Sequence, residues 1–257
     1  MSGRRKGQPV LVEELTSKEF AAMVRKDPLV IVPVGSLEEH GSHLPLGTDS
    51  MQAEEVARRV ALELDALVCP PLRYGDCRST RNFPGTISLS FETVQLFAFD
   101  VVSELARNGV RKIMVLTGHA GSGHMAALRL GTMRAVDEYP DIRVMVLSDY
   151  DIAYELKGKE FPETDGHGGL IETSRVLGIR PDLVGPDRPS GRNTAPKYMV
   201  LPDPEAYFKA GISGDTKDAS AARGKRIDDF VVEELCRLAA ENFGIKRKSA
   251  GRPKRGT

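Results

Sequence analysis

The sequence predicts a layered α/β/α fold built on a mainly parallel sheet, and three observations carry that expectation. Short apolar runs recur at 29–36, 66–72, 112–119 and 143–150. They show little in-and-out alternation, which is how strands covered on both faces read. Segments of helical periodicity separate them, the arrangement of a parallel sheet with crossover helices.

The elements follow in order. TSKEFAAMVRKDP (16–28) opens with Thr16 and Glu19 at capping-box spacing and predicts a first helix. LVIVPVGS (29–36) predicts a strand. After a loop, residues 49–66 form an amphipathic pattern whose apolar face includes Val56, Val60, Leu62 and Leu64. ALVCPPL (66–72) predicts a second strand stopped by prolines, and FPGTISLS (83–90) a turn with a short strand. A long helix over 91–109 closes at Gly109. KIMVLTGH (112–119) is a buried strand that runs through a glycine-rich loop into the helix around HMAALRLGTMRAVDEY, and RVMVLSDY (143–150) repeats the strand pattern. DGHGGLIETSRVL (165–177) opens a further helix. The signal weakens over the Pro- and Gly-rich stretch 180–216 and returns as a last helix over 218–243. One domain is expected over 1–245, followed by a basic, disordered tail over 246–257.

Composition narrows the function. The 257 residues hold 36 Lys and Arg against 36 Asp and Glu, so no global field recruits nucleic acid or an anionic membrane. No apolar run approaches the roughly 20 residues of a membrane span. Cys69, Cys77 and Cys236 have no metal-type spacing. MSGRRKGQPV lacks the apolar segment of a secretory leader, so the expectation is a cytoplasmic protein without disulfides.

All five histidines fall in three windows: His40 and His43, His119 and His124, and His167. Each window follows a predicted strand or opens a predicted helix, and loops at the carboxyl ends of parallel strands gather at one edge. Glu38 and His40, two residues apart at a strand end, point the same way in extended backbone. Asp49, at the start of the next helix, can fold back as a third ligand. Such oxygen and nitrogen donors suit Zn²⁺, Mn²⁺ or Fe²⁺ rather than Ca²⁺; a polar loop with a helix-capping Asp49 is the plainer alternative. His119 follows a strand among glycines and reads either as a ligand or as a hydrogen-bonded structural residue. His124, in the first turns of the following helix, reads as a residue that supports the ligands or packs, rather than as a ligand itself. His167 has an unperturbed pKa close to neutrality and suits general acid–base work. Glu172 can ligate metal, orient His167, or simply stabilise a helix N-terminus.

GSLEEHGSHLPLGTD, FPGTISLS, TGHAGSGH, DGHGGLIETS and GISGDTKDASAARGK, in this order, resemble the creatininase (creatinine amidohydrolase) family over residues about 29 to 225. The resemblance implies a metal-dependent amidohydrolase with a layered α/β fold, often hexameric. It places Glu38, His40, Asp49 and His119 on metal-ligand positions, with Asp49 bridging two metals, and His167 and Glu172 on the catalytic motif. The implied cofactor is one or two divalent ions per subunit (Zn, Mn or Fe). The implied reaction is hydrolysis of a non-peptide C–N bond in a small cyclic or linear amide by a metal-activated water. His167 manages a proton, and Glu172 positions it or completes the second metal site. The implied partners are a small-molecule amide and further copies of the chain in a homo-oligomer.

Several positions depart from creatinine-cleaving members. Their acidic ligand two positions after His119 is Gly121 here, their aromatic residue just after that histidine is Ala120, and their lid tryptophan has no counterpart in a chain without tryptophan. The common histidine ahead of FPGT is Thr80. These departures point away from creatinine. The Gly121 pattern is shared with other branches, among them formamidopyrimidine deformylases of flavin and deazaflavin biosynthesis, which give one alternative; a non-catalytic, metal-dependent metabolite-binding protein gives another. Arg73, Arg78 and Arg81 are candidates to hold a phosphate or carboxylate at the mouth of the site.

Overall fold

Five parallel strands form the central sheet of the computed structural model, which describes residues 7–247. They are β1 (Val10–Leu11), β2 (Leu29–Val34), β3 (Leu67–Val68), β4 (Lys112–Thr117) and β5 (Arg143–Ser148), in the order β1-β3-β2-β4-β5. β2 pairs with β4 along its whole length, from Leu29 opposite Lys112 to Val34 opposite Thr117. All six residues of β2 are buried, as a strand covered on both faces requires. Pro33 sits in this central strand because its missing N–H faces a side where the ladder has already ended. β3 stops at Val68, and the Pro33 carbonyl there accepts only from Leu72 N at 3.0 Å.

Among the described residues, seven α-helices flank the sheet: α1 (Ser17–Val24), α2 (Thr48–Leu64), α3 (Phe91–Arg107), α4 (Ser122–Glu138), α5 (Tyr150–Ala153), α6 (Leu170–Ile179) and α7 (Ala221–Phe243). The α1 capping box forms as its sequence predicts, with Thr16 N donating to Glu19 Oε2 at 3.0 Å and Glu19 N to Thr16 Oγ1 at 3.3 Å. On one sheet face Val94, Ala98 and Val102 of α3 and Leu128 and Ala135 of α4 pack on Val30, Val32 and Val115. On the other, Val56 and Val60 of α2, Ile171 of α6 and Ile227, Val231 and Leu235 of α7 cover Ile31, Met114 and Leu116. Three layers result, as expected.

The differences from expectation lie where backbone pairing, not side-chain pattern, decides. α1 ends at Val24 rather than 28, and the chain leaves through Asp27 at φ 54°. The second predicted strand is cut to two residues by Pro70 and Pro71, with a lone bridge from Leu72 to Val34. Residues 83–90 form turns and extended loop but join no strand. The weak stretch 180–216 contributes an antiparallel pair, β6 (Ser190–Gly191) with β7 (Gly214–Asp215). The tail 246–257 lies, apart from Lys246 and Arg247, outside the described residues.

A buried ion triad ties the site-bearing layers together. Arg175 of α6 is fully buried and donates to Asp149 Oδ2, at the end of β5, and to Asp228 Oδ1 of α7, each at 2.6 Å. Burial pushes both carboxyls up, and the guanidinium opposes part of that shift.

Candidate metal centre

The carboxyl ends of β2 and β4 meet the start of α2, and glycine makes the meeting possible. A Cβ on Gly118 would lie 2.1 Å from the Asp49 carbonyl oxygen, and one on Gly35 would lie 2.4 Å from Ser50 Oγ. With both strands so close to the helix, Asp49 in the first turn of α2 projects between two imidazoles. Its Oδ1 lies 3.0 Å from His40 Nε2 and its Oδ2 3.1 Å from His119 Nδ1. Glu38 Oε2 is 2.9 Å from His119 Nδ1, and Glu172 Oε2 is 3.4 Å from His40 Nε2. Glu38, His40, Asp49, His119 and Glu172 are all buried.

The surroundings fix which ring nitrogen faces inward. His40 Nδ1 donates to the Glu38 carbonyl at 3.0 Å, and His119 Nε2 donates to the Asp76 carbonyl at 2.9 Å. Each imidazole therefore turns its other nitrogen, with a lone pair, toward the carboxylates. Ser36 Oγ donates to Asp49 Oδ2 at 2.5 Å and Thr80 Oγ1 to Glu38 Oε1. Thr80 thus orients the Glu38 carboxylate directly. Glu38 Oε2 has no in-line hydrogen-bond donor despite full burial. Lone pairs facing carboxylate oxygens with no donor between them are what a divalent cation satisfies, so the residues fit the metal.

The same geometry sets the electrostatics. Burial works against a charged His40, but the carboxylates of Asp49 and Glu172 outweigh it and raise its pKa. His119 is raised likewise, burial being overcome by Glu38 and Asp49. Burial acts to raise Glu38, yet His119 and His167 bring it down to about 2, and Asp49 is lowered by His40 and His119 against its own burial. The cluster is an anionic pocket that draws positive charge, whether protons or a metal ion.

His167 lies beside the cluster, its ring centroid 4.2 Å from that of His40 and 5.5 Å from that of Phe208. Its Nε2 donates to the Glu39 carbonyl at 2.8 Å, with the Glu39 carboxylate at 3.8 Å. Glu172 instead accepts from Gly168 N at 2.7 Å and faces His40. Of the alternatives for Glu172, the metal side has the contact with His40 and the helix start has the bond from Gly168 N. The partner of His167 is Glu39, to which the sequence reading gave no role although it stands between Glu38 and His40.

His43 and His124 stay outside the cluster. His43 Nε2 bonds Thr173 Oγ1 at 2.7 Å; His124 accepts from Asp76 N at 3.4 Å and bonds Thr117 Oγ1 at 3.2 Å. Of the three arginines, Arg73 is held by Glu54 at 2.7 Å, away from the site, while Arg78 donates to the Leu201 carbonyl at 2.8 Å on a cavity wall shared with Ser79 and His119. Arg81 lines an outer hollow with Ser88 and Phe91. Cys77, a cysteine without metal-type spacing, has its sulfur within 4.8 Å of ligand atoms of Glu38 and His119.

A cavity of about 330 Å³ opens onto the cluster and is lined by Glu38, Asp49, His119, His167 and Glu172 together with Asn193, Phe208 and Ser213 from the weakly patterned stretch.

Known proteins are similar to this chain over most of its length. A family model described as creatinine amidohydrolase matches residues 13–239. Creatinine amidohydrolase of Pseudomonas putida is 34% identical over 254 residues, 91% of this chain and 97% of the relative. A mycofactocin precursor peptide peptidase of Mycolicibacterium smegmatis (strain ATCC 700084 / mc(2)155) is 34% identical over 223 residues, 82% of this chain and 83% of its own length. Among solved structures, a manganese form of creatininase superposes with a TM-score of 0.82 at 33% identity, covering 91% of this chain and 99% of that one. A two-zinc variant gives 0.81 at 33% identity, covering 91% and 98%.

Proposed function

The chain belongs to the creatininase family of metal-dependent amidohydrolases, and from that premise we propose that it hydrolyses a non-peptide C–N bond in a small amide. The observation that carries this reading is the pairing of the carboxylate–imidazole cluster with His167 on one cavity wall. A volume near 330 Å³ sits at the low end of small-ligand pockets, about 300–1,000 Å³.

Glu38, His40, Asp49, His119 and Glu172 would hold one or two divalent ions (Zn, Mn or Fe). A bound ion supplies Lewis-acid polarisation of the amide carbonyl and a water activated near neutral pH. His167 serves as proton carrier: the Glu39 carbonyl occupies Nε2, so Nδ1 is the atom that takes and returns a proton. Ser36 and Thr80 keep the carboxylates in place, and Phe208 and Tyr154 limit water on the cavity wall. The backbone amides of the Gly118–Gly123 loop are candidates to hold the developing oxyanion. A proton-carrying imidazole beside the cluster favours turnover over a metabolite-holding role.

We also read residues 1–245 as one domain, since α7 packs on the core of α2 and α6. Leu96, Leu130 and Met133, exposed on α3 and α4, support a homo-oligomer, and three unpaired cysteines support a cytoplasmic setting. No helix among the described residues is long and apolar enough to cross a membrane.

The test is a panel of small cyclic and linear amides, including creatinine and formylaminopyrimidines, run before and after chelation. Amide hydrolysis that stops on chelation and returns with Mn²⁺ or Zn²⁺ is expected; hydrolysis that survives full metal removal contradicts the reading.

A further inference from the structure

Gly121 leaves this chain without a side chain at a position near the cluster, and the space beside it is taken. A Cβ there would lie 2.6 Å from His119 Nε2. On the same side of Asp49, Glu38 and His119 supply one carboxylate oxygen and one ring nitrogen. Thr80 occupies Glu38 Oε1, so Oε2 is left buried and without a donor. Of the further donors near Glu38, the His167 imidazole groups with His40, and the one that groups with His119 is sulfur. Cys77 is 1% exposed, unpaired, and within 4.8 Å of the ligand atoms of Glu38 and His119. Its sulfur makes a long contact of 3.8 Å with the Gly75 carbonyl and lies in hydrogen-bonding reach of His119 and Ser36, while its backbone N–H is fixed by Ser88 Oγ at 2.9 Å. Metal bonds of about 2.0–2.3 Å bridge such separations with small side-chain shifts.

We propose that Cys77 is a thiolate ligand of the metal position formed by Glu38, Asp49 and His119, and that it makes this position prefer Zn²⁺ over Mn²⁺. The proposal rests on the reading that the cluster holds divalent ions. Sulfur is the soft donor of the set, and soft donors select zinc over the oxygen-seeking manganese. Binding replaces the S–H proton with the metal and releases that proton to solvent, one per ion seated. The opposite side of Asp49, with His40 and Glu172, keeps only nitrogen and oxygen donors and stays permissive for either ion.

Cobalt reads the ligand directly. Metal-stripped full-length protein is titrated with Co²⁺ without oxygen or added thiol, and the absorption spectrum is followed. A near-ultraviolet sulfur-to-cobalt charge-transfer band is expected in the unchanged protein. In Cys77→Ser the band disappears while the visible cobalt bands remain, and the ratio of Zn²⁺ to Mn²⁺ affinity falls at least about 10-fold. Cobalt that binds the unchanged protein with no sulfur band overturns the ligand assignment and leaves the metal-dependent hydrolase intact. A band that survives Cys77→Ser overturns it too. Failure of the protein to bind Co²⁺ at all would instead overturn the metal reading on which the proposal stands. The spectrum of the unchanged protein decides the matter even where the serine variant folds poorly.

Discussion

His167 is the residue on which catalysis and metal binding separate. Its ring stacks on His40 at 4.2 Å, yet its fixed hydrogen bond runs outward to the Glu39 carbonyl. Under the proposed function a group so held carries protons, and its closeness to the ligand atoms of Glu38 and His40, within 4.8 Å, is what makes the separation testable. His167→Ala is expected to lower turnover by more than about 10²-fold, the usual scale of acid–base contributions. Metal content measured on the same protein should stay unchanged. Loss of metal would instead move His167 into the ligand set, beside Glu38 and His40. The histidines and acids of the loop were legible in the sequence because they crowd fifteen positions between a strand and a helix. Glu39, Thr80 and Cys77 were not, because their roles come from contacts that no spacing records. Thr80 reaches Glu38 across 42 positions, and His167 reaches Glu39 across 128.

At the scale of elements, the meeting of β2, β4 and α2 decides whether the cluster exists. Gly118 leaves no room for a methyl group against the Asp49 carbonyl, which would sit 2.1 Å away. Gly118→Ala must push the β4 end from α2. It is expected to cost about 1–3 kcal/mol of stability, the range for overpacking, and to lower metal stoichiometry; denaturant unfolding and metal analysis check both. The strands and long helices were legible because apolar periodicity reflects burial on each sheet face. Three features were not. The second strand shrank to Leu67–Val68 because prolines end its ladder, 83–90 found no partner strand, and the stretch 180–216 folds over the site without a periodic core face. Asn193, Phe208 and Ser213 on the cavity wall come from that last stretch, so the substrate-facing side was the least readable part.

For the whole molecule, stability depends on charges kept inside. Arg175 is, among the described residues, the cation bonded to both Asp149 and Asp228, at 2.6 Å from each. Arg175→Met leaves two buried carboxylates facing each other and is expected to cost about 3–5 kcal/mol in urea unfolding. His43 adds an acid sensitivity. Burial first, then the charges of Arg188 and His40, push its pKa from 6.5 down to about 4. Below 6.5 the unfolded chain takes a proton that the folded chain refuses until about 4, so stability falls as pH drops through that window. Between about pH 7 and about pH 5 the loss is expected to be about 1–2 kcal/mol, and His43→Gln should flatten it. The most direct measurement of the central claim is anomalous X-ray diffraction from crystals grown with Mn²⁺ or Zn²⁺ and collected across the metal edge. An anomalous peak bonded to Asp49 and at least one of His40 and His119 is predicted. A cluster that stays without a peak while the ion binds elsewhere, or not at all, would contradict it.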